Sequence, residues 1–270
     1  MKKTFLNILF LLLTLSVVGQ QVSVVNVYSE SMQKEIANTV ILPENYSSEK
    51  AYPVLYLLHG YAGDHGEWLR VIKKTLPQEC SKYNMIVVCP DGHNSWYWDS
   101  PIDPKMKYDT YVSRELVSYI DSKFSTVKSL KGRAVTGLSM GGHGGLWLGI
   151  NHPDIFGACG SMSGGVDIRP FPNNWEMSKR IGKQKNEKEN WEDYTVINQL
   201  HKIEPNSLAI IIDCGYEDFF YKVNEKLHEK MLYLNIKHDY YTRPGGHKAE
   251  YWENAIDYQL LFFNKFFNKR

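Results

Sequence analysis

Gly137-Leu138-Ser139-Met140-Gly141 is the most informative stretch of the chain, because it joins an apolar run to a helical pattern. The run Ala134-Val135 precedes it, and a stretch rich in small residues, 142–150, follows it. A turn of this kind lifts the Ser139 hydroxyl above the sheet and points free N–H groups of the next helix at the same place. The flanking glycines are needed because side chains would clash in so tight a turn. The stretch therefore predicts a serine nucleophile at the carboxyl end of a strand.

Apolar runs of strand length recur on both sides of this turn. They are Val22–Tyr28, Glu35–Leu42, Val54–Leu58, Met85–Cys89, Ala134-Val135 with Thr136-Gly137, Leu208–Ile212 and Ile236–Thr242. The first two are expected to pair as antiparallel strands. Several later runs are continuously apolar rather than alternating, which is typical of strands covered on both faces.

Helical periodicity lies between the runs, at Tyr108–Phe124, Phe219–Leu234 and Lys248–Phe267. Strands that alternate with helices indicate an α/β fold with a mostly parallel central sheet and helices on both faces. We predict one such domain over residues 20–270. Residues 164–199 are polar and irregular, and they are longer than a simple crossover requires. They predict a small cap insertion over the active site, or alternatively a solvated surface excursion.

Residues 1–19 have the pattern of a secretory signal peptide. Lys2 and Lys3 precede an apolar run over 5–18, and Val17 and Gly19 suit a cleavage site. The run is short for a membrane-spanning helix, although an uncleaved anchor is the alternative. The pattern predicts an exported, periplasmic or secreted bacterial protein with no stable membrane insertion after cleavage.

Composition excludes some functions for the 270-residue chain. Its formal net charge of +1 gives no excess of positive charge that would favour binding to nucleic acid or to a membrane surface. The four cysteines form no CxxC pair and have no zinc-site spacing with histidine. Because acyl transfer through a serine nucleophile needs neither, we expect no metal and no organic cofactor.

A serine hydroxyl needs a general base, and the base needs a carboxylate to orient it. Among nine histidines, His247 follows the last predicted strand and opens the C-terminal helix, so we expect it to be the base. The acid should lie between residues 139 and 247 in the chain. Asp218, just past the turn after Leu208–Asp213, is favoured, and Asp213 and Glu217 are the alternatives.

The loop His59-Gly60-Tyr61-Ala62-Gly63 follows the strand Val54–Leu58. Two backbone N–H groups that point at the developing negative charge stabilise an oxyanion well. We expect them on Met140, which follows the nucleophile, and on Tyr61 in this loop. His59 is expected to hold the loop, or alternatively to contact substrate.

A second loop, His93-Asn94-Ser95-Trp96-Tyr97-Trp98, opens on the same sheet edge as Ser139. Rings of Trp96, Tyr97 and Trp98 could stack on an aromatic or sugar group of the substrate, or wedge the cap against the body.

These pieces resemble the α/β-hydrolases, and more closely the esterase D and feruloyl esterase branch. That branch is carbohydrate esterase family 1-like and includes the antigen 85 mycolyltransferases. The matching pieces are His59-Gly60, Gly63, Trp68, Pro90-Asp91-Gly92, Gly137-Leu138-Ser139-Met140-Gly141-Gly142, Gly215, Asp218, Gly246-His247 and Trp252. In the family the acid lies three residues beyond the glycine, which favours Asp218. The resemblance also places the oxyanion donors at Tyr61 and Met140.

The resemblance implies a serine ester hydrolase that acts on a small-molecule or oligosaccharide ester. Export and ring-rich loops favour feruloyl or acetyl groups on polysaccharides. Acyl transfer to a sugar acceptor, as in the mycolyltransferases, and an S-formylglutathione hydrolase-like thioesterase activity remain open. A carbohydrate-binding protein on an inactive hydrolase fold is the alternative outside enzyme function.

Overall fold

An eight-stranded sheet crosses the protein in the order β1-β2-β4-β3-β5-β6-β7-β8, over residues 21–269, which the computed structural model describes. The predicted signal peptide, residues 1–19, lies outside these residues. The strands are β1 Val22–Ser29, β2 Lys34–Ile41, β3 Val54–Leu58, β4 Ile86–Pro90, β5 Arg133–Gly137, β6 Ala158–Met162, β7 Ala209–Gly215 and β8 Asp239–Arg243.

Strands β1 and β2 pair antiparallel, and β2 also pairs antiparallel with β4. From β4 to β8 the neighbours are parallel. The predicted α/β fold with a mostly parallel sheet is confirmed. Strands β3 to β6 are buried along their whole length, as the continuous apolar runs indicated for β3 and β4. Since parallel strands end at one edge, the loops after β3, β4, β5, β7 and β8 meet there.

Helices cover both faces of the sheet. They are α1 Leu76–Tyr83, α2 Tyr108–Thr110, α3 Val117–Lys123, α4 Met140–Asn151, α5 Met177–Ile181, α6 Lys188–Asp193, α7 Val196–Gln199, α8 Tyr221–Tyr233 and α9 Ala249–Phe267. A π-helical stretch, Tyr111–Leu116, joins α2 to α3. Helix α4 packs against β5 and β6, and α9 packs on the other face with Trp252, Ile256 and Leu260 in a second apolar core.

The sequence did not identify β6, because Ala158-Cys159-Gly160-Ser161-Met162 is rich in small residues instead of branched apolar ones. Segment 164–199 was expected to be irregular, but it contains α5, α6 and α7. These helices have four to six residues, too few turns for a helical pattern to emerge. Among residues 21–269, no helix is both long and apolar enough to cross a membrane.

Candidate active site

Ser139 occupies a strained turn between β5 and α4, with φ of 54° and ψ of −116°. A residue with a side chain rarely adopts positive φ, and such strain is concentrated at functional sites. The turn is held by the Ser139 N–H, which donates to Met162 O at 2.9 Å. A Cβ on Gly141 would lie 2.5 Å from Leu58 O, so glycine alone allows α4 to start so close to β3.

His247 joins Ser139 to a carboxylate. Its Nε2 lies 2.8 Å from Ser139 Oγ, and its Nδ1 lies 2.8 Å from Asp218 Oδ2. The Asp218 side chain is fully buried, and its Oδ1 accepts the Phe220 N–H at 2.8 Å. The contacts fix a tautomer in which His247 donates from Nδ1 and is ready to accept the Ser139 proton at Nε2.

The loops that carry Asp218 and His247 are joined through their backbones. The Tyr216 N–H donates to Arg243 O at 3.0 Å, and the Glu217 N–H donates to Gly245 O at 3.1 Å. These two bonds continue the β7–β8 pairing beyond the ends of the strands, and they fix the position of one loop relative to the other.

The two alternative acids lie elsewhere. Asp213 is fully buried, where it accepts hydrogen bonds from Arg243 and from the Tyr251 hydroxyl. Burial raises the pKa of Asp213, while the bonds from Tyr251 and Arg243 act in the opposite direction. Glu217 is exposed. The structure thus brings Asp218, and neither alternative, to His247.

Tyr61 and Met140 follow β3 and β5, which are neighbours in the sheet. Met140 is the first residue of α4, so its N–H has no partner inside the helix. Within the described residues, neither the Met140 N–H nor the Tyr61 N–H donates a hydrogen bond to the protein. Both donors are consequently available to an oxyanion near Ser139.

His59 lies beneath the site with 1% of its surface exposed. Its Nε2 accepts the Gly92 N–H at 2.7 Å, and its Nδ1 donates to Gly60 O at 2.7 Å. Both ring nitrogens are thus used to hold loops, as expected for His59, and the alternative that His59 contacts substrate is corrected.

Trp96, Tyr97 and Trp98 are also buried, with at most 1% of each residue exposed. A Cβ on Gly144 would lie 2.4 Å from the Tyr97 ring. The glycine in α4 therefore leaves the space that this ring fills. Trp98 donates to His143 Nε2 at 2.7 Å, and Trp96 donates to Trp175 O at 3.2 Å. The rings therefore offer no open face for a substrate. They join the 93–98 loop to α4 and to segment 164–199, as the alternative interpretation expected.

Other rings lie beside the catalytic histidine. Phe219 is 52% exposed, and its ring centroid lies 4.2 Å from that of His247. Trp175, from segment 164–199, stacks on Phe219 at 5.5 Å with an interplanar angle of 19°. We call Trp175 and Phe219 the aromatic wall. Phe219 could have been noticed as the neighbour of Asp218, whereas no sequence signal placed Trp175 there.

Helix α4 contains His143, which is fully buried. Its Nδ1 donates to Gly165 O at 3.0 Å, at the start of segment 164–199. Burial lowers the pKa of His143 to about 4, so the ring is neutral at physiological pH. The structure places it in packing between α4 and this segment. Among the described residues, no group of three or more histidine, cysteine, aspartate or glutamate side chains is arranged to hold a metal ion.

The parallel sheet, the Ser139 turn and the Ser139–His247–Asp218 contacts together define a serine hydrolase of the α/β-hydrolase fold. Comparison with known proteins then shows its family. The chain belongs to the Esterase family, whose model matches residues 29–263, and it is a carboxylic ester hydrolase.

Individual relatives agree with this assignment. An acetyl esterase of Caldicellulosiruptor saccharolyticus is 26% identical over 262 residues, which cover 86% of this chain and 94% of the relative. A ferulic acid esterase structure superposes with a TM-score of 0.79 and 28% identity, covering 92% of this chain and 98% of that one. MPT51 of Mycobacterium tuberculosis has a TM-score of 0.76 at 18% identity, over 90% of this chain and 98% of that one, and shows the shared fold.

Proposed function

We propose that this protein is an exported serine esterase that works through an acyl-serine intermediate and releases feruloyl or acetyl groups from polysaccharide-derived esters. The observation that carries the proposal is the set of contacts from Ser139 Oγ to His247 Nε2 and from His247 Nδ1 to Asp218, each 2.8 Å long. A hydroxyl, a base and an orienting carboxylate in this order are what acyl transfer from an ester requires.

In the first step Ser139 Oγ bonds to the ester carbonyl carbon while His247 Nε2 takes the hydroxyl proton. The carbonyl π electrons move to the oxygen, where the Tyr61 and Met140 N–H groups stabilise the negative charge. The carbonyl then re-forms, the bond to the alcohol oxygen breaks, and His247 returns its proton to that oxygen. The products are an acyl-serine and a free alcohol.

Water completes the reaction in the same way. His247 takes one proton from water as its oxygen bonds to the acyl carbon, and the same two N–H groups receive the oxyanion. Collapse breaks the bond to Ser139 Oγ, and His247 protonates that oxygen. Asp218 stays ionised throughout and keeps Nδ1 of His247 protonated.

The aromatic wall supports a substrate with a planar ring. Phe219 contacts His247 and leaves half of its own surface open, so its ring is available to a planar group of a substrate bound at Ser139. Ring stacking of this kind binds a feruloyl group far better than an acetyl group. The ferulic acid esterase and acetyl esterase relatives agree with esters of these two classes.

Export is proposed from residues 1–19 alone, where two lysines precede a short apolar run. Esters on polysaccharides lie outside the cell, so location and substrate are consistent with each other. Fractionating cells that express the full-length chain, followed by sequencing of the mature N-terminus, tests this part. Protein found with residue 1 intact in the cytoplasm would contradict it.

The catalytic part is tested with residues 20–270 and with Ser139→Ala. The substrates are an aryl acetate, methyl ferulate, an acetylated xylo-oligosaccharide and S-formylglutathione, and each reaction is repeated with an added oligosaccharide acceptor. We expect kcat to fall by about 10⁴-fold or more in the variant. Equal turnover in the variant would refute the serine mechanism. Acylated acceptor in place of free acid would assign acyl transfer instead, and exclusive thioester turnover would assign a thioesterase.

A further inference from the structure

Two side chains hold the turn that carries the Tyr61 N–H. On one side of Tyr61, the Gly60 N–H donates to Glu67 Oε2 at 2.9 Å. On the other side, the Ala62 N–H donates to Asn94 Oδ1 at 2.8 Å. The Tyr61 N–H between them donates to no other described residue. The direction of this free donor therefore depends on the anchors of its two neighbours.

The hydrogen bond from Ala62 to Asn94 matters more for the conformation of the turn than the bond from Gly60 to Glu67. Ala62 has φ of 63°, a left-handed conformation that a residue with a side chain adopts rarely unless its surroundings hold it there. Ala62 is also exposed, so packing does not hold it. Its N–H bond to Asn94 opposes relaxation of the turn, together with the Gly63 N–H, which donates to Gly60 O at 3.1 Å.

Asn94 is itself held by segment 164–199. The Arg180 Nε–H donates to Asn94 O at 3.1 Å, and Asn94 Nδ2 donates to Glu176 Oε2 at 3.4 Å. Arg180 and Glu176 also face each other, with 3.8 Å between Arg180 Nη2 and Glu176 Oε2. Asn94 thus bridges the inserted segment and the oxyanion turn without touching Ser139 or His247.

We propose that Asn94 is a positioning residue, which holds the Tyr61 N–H in the direction the oxyanion needs and makes turnover depend on segment 164–199. The inference rests on the proposed serine-esterase function of the same site. A donor that turns away from the developing charge stabilises the transition state less, while ground-state binding changes little. Loss of the Asn94 anchor should therefore lower kcat and leave KM nearly unchanged.

The test compares Asn94→Ala, Asn94→Asp and the control His93→Asn in the 20–270 chain. His93 is the exposed neighbour, and asparagine tolerates its φ of 43°. Asn94→Asp keeps an oxygen that accepts the Ala62 N–H, but it loses the amide that donates to Glu176. For aryl acetate hydrolysis, we expect kcat to fall about 10- to 100-fold in Asn94→Ala, with KM within about twofold of wild type. Asn94→Asp should be faster than Asn94→Ala, and His93→Asn should match the wild type.

A fluorophosphonate probe separates this proposal from the proposed function. Ser139 Oγ bonds to phosphorus, fluoride leaves, and His247 takes the hydroxyl proton, while the phosphoryl oxygen needs the same N–H donors. Slower labelling of Asn94→Ala, with a melting temperature like that of the control, supports the role. Equal labelling of Asn94→Ala and wild type would overturn it. A wild-type chain that is not labelled at Ser139 would overturn the serine-esterase function itself, and the role of Asn94 with it.

Discussion

His247 Nδ1 lies 2.8 Å from Asp218 Oδ2, although 29 positions separate the two residues in the chain. Strands β7 and β8 pair side by side, so the loops that follow them meet at the same sheet edge. Asp213, at the end of β7, was a second candidate for the acid, but its side chain contacts Arg243 and Tyr251 instead. The two aspartates therefore have separable effects on turnover and stability.

Asp218→Asn should lower kcat by about 10³- to 10⁴-fold without unfolding the protein, because asparagine favours the wrong His247 tautomer. Asp213→Asn should keep most turnover but lower the free energy of unfolding by about 3 kcal/mol, because it leaves the partly buried Arg243 without its charged partner. Ester hydrolysis and urea unfolding of both variants measure the two effects. The reverse pattern would identify Asp213 as the acid.

Substitutions in the aromatic wall should change substrate preference. Trp175→Ala and Phe219→Ala are each expected to raise KM for methyl ferulate by about 10-fold, or 1.4 kcal/mol of binding, with little change for ethyl acetate, which has no ring. Trp96→Ala is the matched comparison, since Trp96 is 1% exposed. It should lower the free energy of unfolding by about 3–5 kcal/mol. Equal losses on both esters in the wall variants would argue against a ring-binding role.

Acid should destabilise the protein partly through His143, whose pKa burial lowers to about 4 in the folded state. An unfolded histidine titrates near 6.5, so the unfolded chain binds this proton first as pH falls. The folded state should thus lose about 2 kcal/mol from this residue between pH 7 and pH 5, and little more below pH 4. Urea unfolding of wild type and His143→Gln at both pH values measures the difference. A pH dependence that is the same in both would rule out this contribution.

Thiol chemistry offers a test of the core. Cys80, Cys89, Cys159 and Cys214 are all free and buried, and burial raises the pKa of each thiol. Since the thiolate is the reactive form, iodoacetamide should modify none of them in the native protein and all four in urea. Intact-mass measurement counts the adducts. A native adduct, or fewer than four adducts in urea without reductant, would indicate an open core or a disulfide.

Local patterns predicted most of the secondary structure. The three amphipathic helices and the apolar strand runs agree with the structure to within a few residues, because each element carries its own periodicity. Strand β6 and the short helices of segment 164–199 lacked that signal. Local patterns also could not predict the direction of the 93–98 rings. Tyr97 fits against Gly144 of α4, and Trp96 lies against Gly165, both of them far along the chain.

The sequence by itself determined that Ser139 lies in a strand–turn–helix motif, that His247 follows the last strand, and that the sheet is mostly parallel. These features depend on residues that are close together in the sequence. Their spacing and their glycine positions directly restrict the conformations that the backbone can adopt. Only the tertiary structure decided that Asp218 faces His247 while Asp213 pairs with Arg243, and that Trp175 and Phe219 are the rings beside the site. Side-chain direction after a strand is set by the neighbouring strands and loops that pack against it, and those neighbours come from distant parts of the chain.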